Sequence, residues 1–251
     1  ALTRLALSTV RRERGELTKA RESLNLALVE LRELDEPHAV AQAEHELGRV
    51  LTEQGDLEGA LETCERTLAA YRSFDDGRGT AIALRSVGIV LRAAGRLDEA
   101  SERCEAAVDV LRRLGDRLMS AYAVQALAKV RIRQGRGDAV RSDLLECLAT
   151  CNDMQDGFGQ ALLLRTLGEL EQAGGRPEVA HRYLERSLQW WNALSLPVWR
   201  ARTLRDLASV LAALGDRPAA EAAWTEALSI FERHGSREAR EPRPQSVLNP
   251  A

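Results

Sequence analysis

The stretch LGRVLTEQGDLEGALE, Leu47–Glu62, contains the pattern that decides the fold. In it, apolar residues at helical spacing precede Gly55, and Ala60 follows that glycine by five residues. The pattern recurs every 40 residues, with glycines at Gly15, Gly55, Gly95, Gly135, Gly175 and Gly215 and small aliphatic residues at Ala20, Ala60, Ala100, Val140, Ala180 and Ala220. A fixed period in this range is typical of a solenoid, in which each repeat buries its apolar face against its neighbours.

Each repeat reads as two amphipathic helices on either side of the glycine. Apolar residues at positions 3, 7 and 10 form a stripe with the 3.6-residue period of a helix, which we call helix A. Position 8 is small, as in Gly88 and Gly168, so a neighbouring helix can approach closely. After the glycine, helix B carries leucine or valine at position 28 of every repeat. The glycine ends helix A because a residue without Cβ takes the left-handed conformation at no steric cost.

The sequence therefore predicts an all-α protein, a right-handed α-solenoid of six 40-residue helix pairs. The repeats span residues 1–40, 41–80, 81–120, 121–160, 161–200 and 201–234 and form one domain, 1–234. Repeat 4 is the weakest, because Arg131 stands at an apolar position and Gly137 lies early in helix B. Residues 235–251 hold three prolines and no apolar stripe, so we predict a disordered C-terminal tail there.

Acidic residues stand where helices begin. We expect them to act as N-caps, because a carboxylate accepts hydrogen bonds from the free N–H groups of a first turn. The candidates are Asp56 and Asp216 for helix B, and Glu36, Asp76, Asp116 and Asp156 for helix A.

These positions resemble the tetratricopeptide repeat (TPR) family. Its Leu-Gly at positions 7 and 8, Gly at 15, Ala at 20 and small residue at 27 are matched by Leu47, Gly48, Gly55, Ala60 and Thr67. The resemblance covers residues 1 to about 234. The usual TPR has 34 residues, so the additional length is expected in helix B or in the loop between repeats.

Composition and missing motifs exclude several classes of function. A net charge of −3 is not that of a nucleic-acid-binding segment, and no apolar run reaches the roughly 18 residues of a membrane span. No P-loop, serine-nucleophile or zinc-protease motif is present. The four cysteines, Cys64, Cys104, Cys147 and Cys151, are best interpreted as small core thiols of a reducing cytosol. We therefore predict a cytoplasmic, non-catalytic protein without cofactor or metal.

The TPR resemblance implies that helix A lines a concave groove. The charged residues at its groove positions are mostly basic and include His45, Arg49, Arg85, Arg92, Lys129, Arg133, Arg165, Arg202 and Arg205. The acids on the same face are Glu46, Glu53, Glu169 and Asp206. Because arginine binds carboxylates bidentately, the basic majority favours a protein or acidic peptide partner, which can be another domain of the same protein. The alternative is a solvated face of mixed charges.

Three of the four tryptophans fall within ten residues. We predict a second contact patch made of Trp190, Leu196 and Trp199, which would support a weak homodimer. The alternative is that these side chains are buried between repeats 5 and 6.

Forty-residue repeats with a Leu-Gly-Asp-Arg loop, residues 114–117, are similar to the C-terminal TPR domain of actinobacterial antibiotic-regulatory transcriptional activators. This resemblance implies an upstream DNA-binding domain and nucleotide-binding switch, with the present chain as sensor. A first residue, Ala1, that falls at the start of a repeat indicates a segment of a longer protein. The alternatives are a freestanding cytosolic TPR scaffold or adaptor, and an accessory subunit that docks on an enzyme.

Overall fold

The computed structural model describes residues 1–241, which contain six pairs of α-helices and no strand. The helices are α1 Leu2–Glu13, α2 Leu17–Glu33, α3 Pro37–Gln54, α4 Leu57–Ser73, α5 Gly77–Ala93, α6 Leu97–Arg113, α7 Arg117–Arg133, α8 Arg141–Asp153, α9 Gly157–Ala173, α10 Pro177–Leu194, α11 Pro197–Ala213 and α12 Arg217–Arg233. The expected all-α fold of paired helices is confirmed. Odd-numbered helices correspond to helix A and even-numbered helices to helix B.

The helices form two compact units. Unit 1 is Ala1–Val130 and unit 2 is Arg131–Ala251. The division falls at Arg131, in the weak repeat 4. The residues at the same position of repeats 2 and 3 are Leu51 and Leu91, which are buried.

Every turn between helices contains one residue in the left-handed region, and these residues are spaced 20 apart. They are Gly15, Asp35, Gly55, Asp75, Gly95, Gly115, Gly135, Gln155, Gly175, Ser195, Gly215 and Gly235. Each repeat is thus two nearly equal halves: in repeat 3, for example, α5 and α6 both have 17 residues. The additional length of the repeat therefore lies in the helices and not in a longer loop.

Five of the six expected caps are formed. The side chains of Asp56, Asp76, Asp116, Asp156 and Asp216 each accept a hydrogen bond, at 2.8–3.1 Å, from the backbone N–H three residues later. The expectation is wrong for Glu36, which makes no side-chain cap and is followed by a proline at the start of α3. Aspartate and glutamate differ by one methylene, and only the shorter side chain closes the cap here.

The small residue at position 8 lets helices A and B of one repeat approach closely, as predicted. A Cβ placed on Gly168 would lie 2.6 Å from Leu184 Cγ. One placed on Gly88 would overlap Cys104 Sγ and lie 3.2 Å from the carbonyl oxygen of Ala100. Neither site has room for a side chain without movement of helix B.

The four cysteines are buried, as expected for core thiols. Burial raises the pKa of Cys64 and of Cys151 to about 12 and that of Cys104 to about 11. These three thiols therefore stay protonated at neutral pH.

Repeat 4 has an interrupted helix B. A 3₁₀ turn, Gly137–Val140, precedes α8, which has only 13 residues. Its first residue, Arg141, donates to Glu171 Oε2 at 3.0 Å, and Arg176 Nε donates to the same oxygen at 2.5 Å. Glu171 is fully buried, so this repeat is held by an ion-pair cluster at a position that is leucine in repeats 2 and 3.

The chain after α12 differs from the expected disordered tail. Residues 237–240 form a 3₁₀ turn, and both Ser236 and Glu238 are buried. The sequence pattern therefore ends the ordered region too early. Residues 242–251 of the predicted tail lie outside the described residues.

No helix within residues 1–241 combines the length and the apolar character that crossing a membrane requires.

We predict that Gly88→Ala lowers the free energy of unfolding by about 1–3 kcal/mol, the usual cost of overpacking. The matched control is Gly77→Ala at the exposed start of α5, where a Cβ would find only Leu114 Cδ1, at 3.8 Å. That control should be neutral or slightly stabilising, because alanine reduces the entropy of the unfolded chain. Urea unfolding of both variants tests this, and equal stabilities would contradict the close approach at Gly88.

Candidate functional site

The nine basic residues predicted to face a partner are divided between the two units. His45, Arg49, Arg85, Arg92 and Lys129 belong to unit 1, and Arg133, Arg165, Arg202 and Arg205 belong to unit 2. Arg165 is buried and Arg133 is exposed, and the other seven are half-buried. Their surroundings separate them further, because some already have carboxylate partners.

Arg165 on α9 is part of an internal ion pair. Its Nε donates to Asp206 Oδ2 on α11 at 2.6 Å, and its Nη2 lies 3.3 Å from Glu169 Oε1. Burial alone would lower the pKa of Arg165, but Asp206 and Glu169 raise it above its ordinary value. This guanidinium therefore joins α9 to α11 and does not face a partner, contrary to the prediction.

Arg202 and Arg205 on α11 are also paired, with acids that follow α12. Arg202 Nε donates to Glu238 Oε1 at 2.6 Å, and Arg205 Nη1 donates to Glu241 Oε2 at 2.7 Å. The guanidinium of Arg202 also lies over the ring of Trp199, 4.8 Å from its centroid. The part of the chain assigned to a tail thus neutralises two of the predicted binding residues.

In unit 1, an ion-pair network joins α1 to α3. Arg12, which is almost fully buried, donates from Nε to Glu46 Oε1 at 2.5 Å and from Nη1 to Glu53 Oε1 at 2.9 Å. Arg49 Nη1 donates to the other oxygen of Glu46 at 3.2 Å. Glu46 is therefore shared by two arginines, which leaves Arg49 only partly neutralised.

Arg85 on α5 differs from the other arginines at position 5. Within residues 1–241 its Nε is buried without a hydrogen-bond acceptor, and its Cζ lies over the ring of Tyr122, 5.8 Å from the ring centroid. Burial, and next the charge of Arg49, lower the pKa of Arg85 to about 10. Arg165 finds Asp206 at position 6 of the next repeat, but the corresponding residue for Arg85 is Ala126.

His45 lies between these charges and is held neutral. Its Nδ1 is buried and has no hydrogen-bond partner among the described residues. Burial, followed by the charges of Arg49 and Arg85, lowers the pKa of His45 to about 3. At neutral pH the imidazole therefore adds no positive charge but offers one nitrogen as donor and one as acceptor.

We call His45, Arg49 and Arg85 the unit 1 basic cluster. Arg49 shares the carboxylate of Glu46 with Arg12, and Arg85 Nε has no acceptor among the described residues, so the cluster retains net positive charge at partly buried positions. Charge-assisted hydrogen bonds from guanidinium to carboxylate are among the strongest in proteins. The cluster is therefore suited to an anionic group, in particular a carboxylate. His, Cys, Asp and Glu side chains nowhere group by threes in the described range to hold a metal ion.

The predicted tryptophan patch is largely packed inside unit 2. Trp191 is fully buried and stacks on Trp199 at 5.5 Å, and Phe158 meets both rings edge-on. Trp190, Leu196 and Trp199 are half-buried, and Trp190 covers Gly157. Trp190, Leu196 and Trp199 thus pack partly into unit 2 and keep part of their surface exposed, so the second contact patch stays a prediction.

The acids that neutralise the predicted basic groove residues were not identified as their partners from the sequence. Glu46, Glu53 and Asp206 lie on helices A, as the arginines do, but the repeat pattern does not indicate which arginine each of them pairs with. The signal was present at position 6, which is acidic in repeats 2 and 6 and alanine after Arg85. Glu238 and Glu241 were missed because the repeat pattern was ended at residue 234.

Comparison with known proteins supports this fold. The family model of the MalT-like TPR region matches residues 1–152, and that of the tetratricopeptide repeat matches residues 159–233. No curated protein sequence matches the chain.

Three solved structures are similar over most of the chain. A Rap protein complexed with Competence and Sporulation Factor has a TM-score of 0.77 at 16% identity, over 92% of this chain and 64% of its own. BtubC (BKLC) from P. vanneervenii has a TM-score of 0.64 at 20% identity, over 91% and 94%. A signal transduction ATPase with numerous domains (STAND) and a TPR sensor, from Pyrococcus horikoshii, has 0.61 at 13%, over 92% and 38%. At these identities the likeness shows the fold.

The depressed pKa of His45 predicts a pH dependence of stability. In the unfolded chain a histidine takes up a proton below about pH 6.5, whereas folded His45 does so only near pH 3. Acid therefore favours unfolding, and stability that is fully present above pH 6.5 is lost as the pH falls towards 3. Between pH 7 and 5 we expect the free energy of unfolding to fall by about 1–2 kcal/mol more in the wild type than in His45→Gln. Parallel pH profiles in urea unfolding would contradict this.

Proposed function

Because the chain belongs to the MalT-like TPR family, we propose that it is the non-catalytic sensor domain of a larger bacterial transcriptional regulator and binds a protein or peptide partner. In this proposal the domain is cytoplasmic and uses no cofactor, and another part of the regulator binds DNA. Two similar structures support it: one is a Rap protein in complex with Competence and Sporulation Factor, and the other is a STAND protein whose sensor is a TPR.

The observation that carries the proposal is the guanidinium of Arg85. Its Nε is buried without an acceptor in the described part of the chain, whereas Arg165 and Arg205, at the same position of other repeats, each contact a carboxylate. Burying a charged donor without a partner costs free energy. A partner that supplies a carboxylate to Arg85 recovers that cost on binding.

We infer that the bound group is an acidic side chain or the terminal carboxylate of a peptide. Arg85 and Arg49 would donate to it, while Glu46 holds Arg49 in place and Tyr122 supports Arg85 from the next helix A. Arg92 and Lys129 belong to the same unit and carry charge of the same sign. Arg165, Arg202 and Arg205 are not part of this site, because carboxylates of the chain itself occupy them.

The test uses a fluorescein-labelled decapeptide of glutamate, with a glutamine decapeptide as the uncharged probe. We expect Arg85→Glu to weaken binding of the acidic probe at least tenfold, because a hydrogen bond to a charged group contributes about 1.5–3 kcal/mol. The matched control is Arg72→Glu, a reversal of the same charge at an exposed position of α4. Fluorescence anisotropy at low salt measures both.

Equal affinities of Arg85→Glu and Arg72→Glu for the glutamate decapeptide would contradict the site at Arg85. Binding that is unchanged between low salt and roughly 0.5 M salt would also contradict it, because the proposed contact is between charges.

A second variant separates binding from stability. Arg165→Met should destabilise unit 2 by about 3 kcal/mol, because removing one member of a buried ion pair leaves the other uncompensated. It should leave the affinity for the glutamate decapeptide unchanged, because the proposed site lies in unit 1. Urea unfolding and anisotropy on the same preparation test both expectations. A loss of affinity in Arg165→Met would contradict the placement of the site in unit 1.

A further inference from the structure

The segment after α12 occupies the place where a seventh helix A would begin. Gly235 has φ +60°, which continues the spacing of one left-handed residue every 20 residues. Ser236 then stands at the cap position, and Arg237 corresponds to the first residues of α3, α5, α7, α9 and α11. Residues 237–240 form one turn of 3₁₀ helix there.

This turn stops for a local reason. Glu241 has φ −72° and ψ 140°, an extended conformation, and the next residue in the sequence is Pro242. A proline disfavours the helical conformation in the residue before it, because its Cδ collides with that residue's backbone. Up to residue 241 the chain therefore presents one turn where α5, α7, α9 and α11 each present 17 residues of helix.

Two carboxylates of this turn meet two arginines of α11. Glu238 and Glu241 are three residues apart, and so are Arg202 and Arg205, with bond lengths of 2.6 and 2.7 Å for the two pairs. Glu238 also accepts a hydrogen bond from Ser236. Burial acts to raise the pKa of Glu238, but the charge of Arg202 and these hydrogen bonds lower it to about 2. The carboxylate therefore stays ionised.

The turn has few other attachments in the described structure. Ala239 is its one hydrophobic residue packed against the core of α11 and α12. Besides Ala239 and the backbone hydrogen bond from Ser236 N–H to the Phe231 oxygen, the turn is attached through the two carboxylates and the two arginines. These arginines are kept in position without the turn, since Arg202 stacks on Trp199 and Arg205 lies 3.7 Å from Asp206.

We propose that Arg202 and Arg205 form a second binding site, for an acidic protein segment with two carboxylates three residues apart, and that residues 236–241 occupy this site in cis. An acidic segment of a partner competes with the turn for the same two guanidinium groups. Because a tethered segment has a high effective concentration, the partner binds weakly until the turn is released. This site is separate from the one proposed at Arg85 and does not depend on it.

The experiment uses the full chain with Glu238→Gln and Glu241→Gln, which removes the two charges and keeps the length of the segment. The probe is a fluorescein-labelled peptide of residues 236–241, Ser-Arg-Glu-Ala-Arg-Glu, and the control peptide has glutamine at both glutamate positions. We expect the double variant to bind the acidic peptide at least tenfold more tightly than the wild type does. The control peptide should bind neither protein.

Adding Arg202→Glu and Arg205→Glu to the double variant should abolish binding of the acidic peptide, while circular dichroism shows unchanged helicity. Equal binding of this peptide to the wild type and the double variant would overturn the proposal, as would binding to neither. Binding that survives the two arginine substitutions would also overturn it, because the peptide would then be held elsewhere. None of these results depends on Arg85, so the two proposals fail or stand separately.

Discussion

The left-handed residue in each turn is the constraint on which the rest of the structure depends. It ends one helix and starts the next after the same short interval, so that both halves of a repeat have nearly equal lengths. As a result, within unit 2 a side chain at position 5 of one helix A reaches position 6 of the next. Arg165 and Asp206 meet in this way although 41 residues separate them in the sequence. Glycine takes the left-handed conformation in most of these turns. Asp35 and Ser195 take it too, at the steric cost that a side chain has there.

Several arginines on helices A are each neutralised by an individual carboxylate of the chain. An arginine on these helices without such a carboxylate is therefore informative. A charged group that leaves water must recover its hydration from fixed partners, and Arg49, Arg165, Arg202 and Arg205 find carboxylates within the chain. Arg85 recovers less than the others, since an alanine stands where an acid would complete the pair. In the proposed site, a partner that supplies a carboxylate recovers the free energy that the burial of Arg85 costs. Net charge gives no indication of it, because the imbalance is local.

Much of the fold could be predicted from the sequence, because helix ends and close contacts depend on residues near in sequence. The period located the helices, the aspartate caps were identified from their positions, and Gly88 and Gly168 were recognised as packing residues. The site was harder, because ion pairs join residues of different repeats. Arg165, for example, was predicted to face a partner, but it pairs with Asp206 on the next helix A, α11. The turn at 237–240 was missed because the prolines that follow it suggested disorder, although the 20-residue spacing continues to Gly235.

The buried thiols give each compact unit a chemical reporter of its own. Cys64 and Cys104 lie in unit 1, and Cys151 lies in unit 2. A thiol that is shielded from solvent and protonated reacts with alkylating reagents only when the surrounding helices separate. The rate of modification at each cysteine therefore measures how often its part of the protein opens. Mass spectrometry of the modified peptides can follow the two units in one sample without any introduced label, and can show whether a ligand of one unit changes the opening of the other.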